Sequence, residues 1–128
     1  MKSILLMNEG FVSYVDIYSI CCLSVPGKYR DDQSCCTLVQ GQWLYWNDNI
    51  EDVFDIIRDY IPLIELHHQE KTAYVNSDKI CTIVRPKHKF SHCKGRTFIE
   101  GVWLDWDEDP EEIILLIEKE TLKMVDYI

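Results

Sequence analysis

Three groups of residues in this 128-residue chain have types and spacings that could do chemistry. Asp105, Asp107 and Asp109 alternate ahead of Glu111 and Glu112, as at the opening of a calcium loop. That loop needs glycine at its sixth place and glutamate at its twelfth, where Pro110 and Leu116 stand, so helix capping explains these acids better. Cys81, His88, His92 and Cys93 offer a Cys2His2 set for zinc, but without the Cys-x-x-Cys or His-x3-5-His pairing of a finger. Cys21-Cys22 and Cys35-Cys36 fall on neighbouring predicted strands, where adjacent residues face opposite sides, so a four-sulfur site is awkward. Nucleophilic catalysis needs a Cys or Ser beside an oriented His. His67, His68, His88 and His92 have no such context, and with five glycines there is no phosphate-cradling loop. The chain reads as non-enzymatic, with no cofactor and no resident metal.

What remains is binding chemistry. Lys28, Tyr29 and Arg30 in one loop, and Lys87, Lys89, Phe90 and Arg96 in a second, concentrate positive charge in a chain of net charge −9. Cations beside aromatic faces suit a small phosphate-bearing ligand better than a long duplex. The pairs Trp43/Trp46 and Trp103/Trp106 are spaced three apart on predicted strands, so their members face opposite ways. One of each pair suits a core; the other is a candidate anchor for a protein partner.

These residues are carried by a sequence written twice. Gly41-Gln-Trp-Leu-Tyr-Trp and Gly101-Val-Trp-Leu-Asp-Trp differ in numbering by 60. The same offset places Ile4 on Ile64, Leu6 on Leu66, Tyr14-Val15 on Tyr74-Val75, Asp16 on Asn76, Ile20-Cys21 on Ile80-Cys81, Pro26 on Pro86 and Thr37 on Thr97. A gapless offset over nearly the whole chain marks a duplicated unit. Each unit reads as a short strand (Ile4 to Met7; Leu63 to His67), a turn, and a long second strand (Phe11 to Leu23; Thr72 to Val84). A polar loop, two further strands and a helix follow. Asn49 caps the first helix, and Asp109-Pro110-Glu111-Glu112 opens the second with an Asp cap, Pro at the first helical position and Glu three residues after the cap. The expected fold is α+β: two tandem repeats, 1–62 and 63–128, packed as one compact domain, each a small antiparallel sheet followed by a C-terminal helix.

Tyr74-Val-Asn-Ser-Asp-Lys-Ile-Cys-Thr-Ile83 and Gly101 to Ile113 resemble the FlbD-like flagellar family, with a more distant likeness to RemA-type regulators and short phage-encoded proteins. The first unit carries the pattern more loosely, at Val15-Asp16 and Ile50-Glu51-Asp52. The resemblance implies a fold, not a chemistry. Through the phage-borne relatives it also implies a small inhibitor of a host protein.

Composition bounds the rest. Apolar residues make up 47% and aromatics 12%, enough for a buried core. The acidic balance disfavours duplex nucleic acid as a partner and favours basic protein surfaces. Only four apolar residues run together before Asn8, too few for a signal-peptide core, and no stretch reaches membrane-spanning length. The expectation is a cytoplasmic protein with reduced thiols that binds a host or self protein. The alternatives are sequestration of a small nucleotide-like anion and membership of a homo-oligomeric ring.

Overall fold

In a computed structural model, which describes residues 1–27, 34–87 and 92–125, ten strands and two α-helices follow in the order β1 (Ser3–Asn8), β2 (Phe11–Asp16), β3 (Ile20–Ser24), β4 (Cys35–Val39), β5 (Gln42–Trp46), α1 (Ile50–Ile57), β6 (Leu63–His68), β7 (Lys71–Asn76), β8 (Thr82–Val84), β9 (Gly95–Ile99), β10 (Val102–Trp106) and α2 (Pro110–Val125). The strands form three antiparallel sheets among the described residues: β1-β2, β10-β9-β8, and the five-stranded β5-β4-β3-β7-β6.

This arrangement overturns the expected pair of repeats, each a small sheet closed by its own helix. Element boundaries do recur at the offset of 60, but the sheets do not divide between the halves. β3 of the first half pairs with β7 of the second, Cys22 opposite Val75, Leu23 opposite Tyr74 and Ser24 opposite Ala73. The molecule is mostly antiparallel sheet, with one helix between the halves and one at the C-terminal end. The physical reason lies where the sequence suggested one long second strand. Asp16 accepts a hydrogen bond from the Tyr18 N–H (3.3 Å) and another from the Ser19 hydroxyl (2.9 Å). Asn76 accepts from the Asp78 N–H (3.1 Å). Each side chain supplies a local partner that the ladder would otherwise supply, and a 3-10 turn follows at Ile17–Ser19 and Ser77–Lys79. The chain changes direction there, so strands on either side of the turn enter different sheets.

Side-chain alternation then gives the central sheet two apolar faces. Leu23, Cys35, Trp46 and Leu63 join Ile4, Leu6, Val15, Val53 and Ile57 in one core cluster. Their strand neighbours Cys22, Leu38 and Ile64 join Val75, Ile99, Trp106 and Ile113 in the other. The first cluster packs hairpin β1-β2 and α1 on one face; the second packs β9, β10 and α2 on the other. Phe54 of α1 stacks on Tyr74 of β7, with ring centroids 4.1 Å apart, so the helix of the first half is held by a strand of the second. Three of the four hairpin turns place a non-glycine residue and then glycine at positive φ, as in Glu9-Gly10 (48° and 86°), the geometry that two-residue hairpin loops demand. Gly95 answers a closer constraint: a Cβ there would lie 2.5 Å from the Glu108 carbonyl, which leads into α2.

Asn49 caps α1 through the Glu51 N–H (2.8 Å), and Asp109 caps α2 through the Glu112 N–H (2.9 Å). The most consequential polar contact is elsewhere. Asn76, almost fully buried, donates from Nδ2 to the Ile20 carbonyl at 3.0 Å, joining the end of β7 to the start of β3. Asn76→Asp removes the donor and sets a carboxylate against that carbonyl. We expect a loss of roughly 1–3 kcal/mol, the cost of an unsatisfied buried group, read as a lower denaturant midpoint with unchanged slope.

Candidate functional site

The four tryptophans separate by depth. Trp46 and Trp106 are buried, and each indole N–H donates to a threonine hydroxyl on the neighbouring strand, Thr37 at 3.0 Å and Thr97 at 2.9 Å. Burying an indole requires such a partner, so these two belong to the cores. Trp43 is half-buried, and Trp103 is 42% exposed. Trp103 packs edge-on to Phe98, centroids 4.9 Å apart, with the Arg96 guanidinium 5.0 Å from its ring.

Arg96 also donates from Nε to Asp105 at 2.6 Å, so its charge is already engaged by a carboxylate on β10. Lys87 is exposed. Lys28, Tyr29, Arg30, Lys89 and Phe90, the remaining members of the proposed anion-binding loops, lie outside the described residues. His88 of the Cys81/His88/His92/Cys93 set lies there as well. No cluster of three or more potential metal-ligating side chains occurs among the described residues, and no helix there is long and apolar enough to cross a membrane.

The six cysteines are free thiols. Burial is the leading cause that pushes Cys21 and Cys35 up to about 12, and it raises Cys22 as well. Protonated thiols are poor nucleophiles and poor ligands, which places these residues in packing rather than chemistry. Cys81 is exposed and Cys93 half-exposed. Alkylation of the native protein, followed by peptide mass spectrometry, is expected to label Cys81 first and Cys93 more slowly. Cys21, Cys22, Cys35 and Cys36 should react only on unfolding.

The hairpin ends are fastened by acidic and amide residues that follow β5 and β10. The Met7 N–H donates to Asp48 Oδ1 (2.7 Å), the Met7 carbonyl accepts the Asn47 N–H (2.7 Å), and the Glu9 N–H donates to Asn47 Oδ1 (2.7 Å). In the second half the His67 N–H donates to Glu108 Oε1 (2.8 Å), and the His67 carbonyl accepts the Asp107 N–H (2.7 Å). The His67 ring adds a contact the first half cannot make, Nδ1 to Glu108 Oε2 at 2.6 Å. That hydrogen bond, outweighing partial burial and helped by the charges of Glu108, Glu65 and Asp107, raises the His67 pKa above 6.5. A raised histidine contributes stability that is complete below its unfolded pKa of about 6.5 and is lost as pH climbs through the folded value. The melting temperature of the wild type is therefore expected to fall across that window more than that of His67→Gln, and the ring itself should titrate high by NMR.

The surface that sequence reasoning missed is the outer face of hairpin β1-β2. Leu5 (48% exposed) and Met7 (42%) on β1 stand opposite Tyr14 (72%) and Val12 (50%) on β2. The corresponding hairpin β6-β7 carries Glu65, His67, Tyr74 and Thr72 in the same register. Phe11, exposed at the hairpin end, joins Trp43, Tyr45 and Glu9 around a shallow groove of about 500 Å³. The signal was present in Ile4-Leu5-Leu6-Met7, where a half-buried strand would alternate apolar with polar residues and this one does not.

Comparison with family models, with curated proteins and with solved structures finds no match, so the FlbD-like resemblance stands on the residues that carry it.

Proposed function

We propose that this protein works without catalysis, by binding another protein through the outer face of hairpin β1-β2. One observation carries the reading: Leu5, Met7, Val12 and Tyr14 present a contiguous apolar face where the corresponding hairpin presents Glu65, His67, Thr72 and Tyr74. A contiguous apolar patch rimmed by polar residues on a soluble fold is characteristic of an interaction surface. The patch lies on a chain of net charge −9, with Glu9 and Asp48 at its end, so the partner that suits it has apolar anchors inside a basic rim. A small acidic inhibitor of a host protein is the biological form this would take. Buried protonated thiols, and an Arg96 already held by Asp105, support binding over chemistry.

The test is affinity capture with the wild type beside Leu5→Lys/Met7→Lys, both on β1 and both directed outward. The double variant is expected to keep its melting temperature within a few degrees while losing the captured partner. Retention of that partner by the double variant, with loss in Trp103→Ala or Lys87→Glu instead, would move the interface elsewhere.

A further inference from the structure

We propose that two copies of this chain associate by antiparallel pairing of β2 with β2 of the second copy. The argument begins with the edges of the two hairpins. On β1, the outward N–H and C=O of Met7 are occupied by Asp48 and Asn47. On β6, the equivalent groups of His67 are occupied by Glu108 and Asp107. On β7, the outer edge is covered by β3. Of the four strands in these two hairpins, β2 alone has an outer edge with neither a ladder partner nor such a contact to its backbone among the described residues.

The chain also denies β2 the partner that internal repetition would assign to it. At the offset of 60 the counterpart of the β3-β7 ladder is β8 with β2, but β8 runs only three residues, Thr82–Val84. Asp16 moreover stands where Asn76 stands in β7, and a carboxylate has no N–H with which to hold the Ile80 carbonyl as Asn76 holds that of Ile20. β2 is thereby left six residues long, with no Pro or Lys in Phe-Val-Ser-Tyr-Val-Asp and no irregularity in its pairing with β1. These are the devices by which exposed edges are ordinarily blunted.

The hydrogen-bond phase fixes which groups are on offer. Because Met7 directs its N–H and C=O away from β2, the Met7–Val12 pair is of the non-hydrogen-bonded kind, and by alternation so is Leu5–Tyr14. Val12 and Tyr14 therefore turn their own N–H and C=O to the open edge. A second copy of β2 satisfies them about a two-fold axis through Ser13, with Val12 opposite Tyr14 of the second copy and the reverse. That is a β-branched residue against an aromatic, twice, in a closed isologous interface. Charge points to the same strand. Two chains of net charge −9 repel, and β2 carries a single charged residue, Asp16, at the end farthest from the symmetry-related Asp16. The paired strands would form a four-stranded sheet, β1-β2-β2-β1, and join the two apolar outer faces into one. This association is independent of the identity of any other partner, and purified protein alone tests it.

Wild-type protein examined by light scattering or sedimentation from micromolar to submillimolar concentration is expected to show twice the 15.2 kDa chain mass. Val12→Pro and Tyr14→Pro each remove an N–H directed at the open edge and none directed at β1, and each is expected to return the protein to a single-chain mass. Ser13→Cys, in a Cys81→Ser background that removes the exposed thiol, places two sulfurs at the two-fold axis. Mild oxidation is expected to convert it to a disulfide-linked dimer through residue 13. A wild type at single-chain mass throughout the range overturns the proposal. So does a dimer that persists in both proline variants, or one in which Ser13→Cys stays unlinked while the mass remains doubled.

Discussion

The β3-β7 ladder, locked by the Asn76 amide on the Ile20 carbonyl, is the constraint on which the rest of the structure depends. Without it β5-β4-β3 and β7-β6 would be two small sheets of three and two strands, each too narrow to separate two apolar cores. With it the five strands become a partition. In β6, Leu63 fills one cluster and Ile64 and Leu66 the other; in β3 the register shift between Ile20 and Cys22 sets Cys21 and Cys22 together in one cluster, with Ile20 and Leu23 in the other. Cys21-Cys22 and Cys35-Cys36 are explained by packing: β3 and β4 are buried along their length, consecutive small apolar side chains are required there, and a buried thiol serves. A single donor at position 76 therefore bears on the core of both faces.

The two halves depart from equivalence where the second copy of that lock would sit. Asp16 occupies the corresponding position and cannot donate, β8 is short, and hairpin β1-β2 stays a two-stranded sheet. The other differences follow. Hairpin β6-β7, built into the central sheet, carries charge and histidine on its outward register, and its His67 ring is tied down by Glu108. Hairpin β1-β2 carries leucine, methionine, valine and tyrosine there. Burying such side chains against another surface stabilises by roughly 25 cal/mol per Å² of apolar area, whereas leaving them in water does nothing for the isolated chain. Their presence on one hairpin only is the observation on which the proposed association rests.

Much of the local structure was legible in the sequence, because it is governed by short-range chemistry. Asn49 and Asp109 announce the helices they cap, and the turns at Glu9-Gly10, Gln40-Gly41 and Glu100-Gly101 announce hairpins. The spacing of Trp43 and Trp46 announces opposite faces. What was not legible was long-range pairing. A gapless offset shows that two segments share a pattern and leaves open whether each folds on itself or exchanges strands with the other, since both place identical residues in β environments. The deciding features were Asp16 and Asn76, whose side chains hold 3-10 turns and so end a strand that composition alone would continue. The binding loops were legible only as charge. Arg96 reads as a free cation in the sequence, yet it has the carboxylate of Asp105 at 2.6 Å, directly opposite on the neighbouring strand, a pairing that requires knowing that β9 lies against β10.

Arg96 beside Asp105, the buried thiols of Cys21, Cys22 and Cys35, and the capping carboxylate of Asp109 are each engaged in a structural contact. Asp109 illustrates the point. The backbone N–H of Glu112 is the first cause that holds its carboxyl below the ordinary value, so its contribution to stability is present above pH 3.8 and lost as pH falls through the lowered pKa. That behaviour belongs to a helix cap, not to a general acid poised near neutrality. His67 is likewise drawn toward its charged form by Glu108 and Glu65, and it serves to tie β6 to the loop ahead of α2. The groups with perturbed acidity are thus accounted for by structural duties. The exposed apolar side chains of hairpin β1-β2 and the open backbone edge of β2 have no such local duty, and the proposed association rests on them.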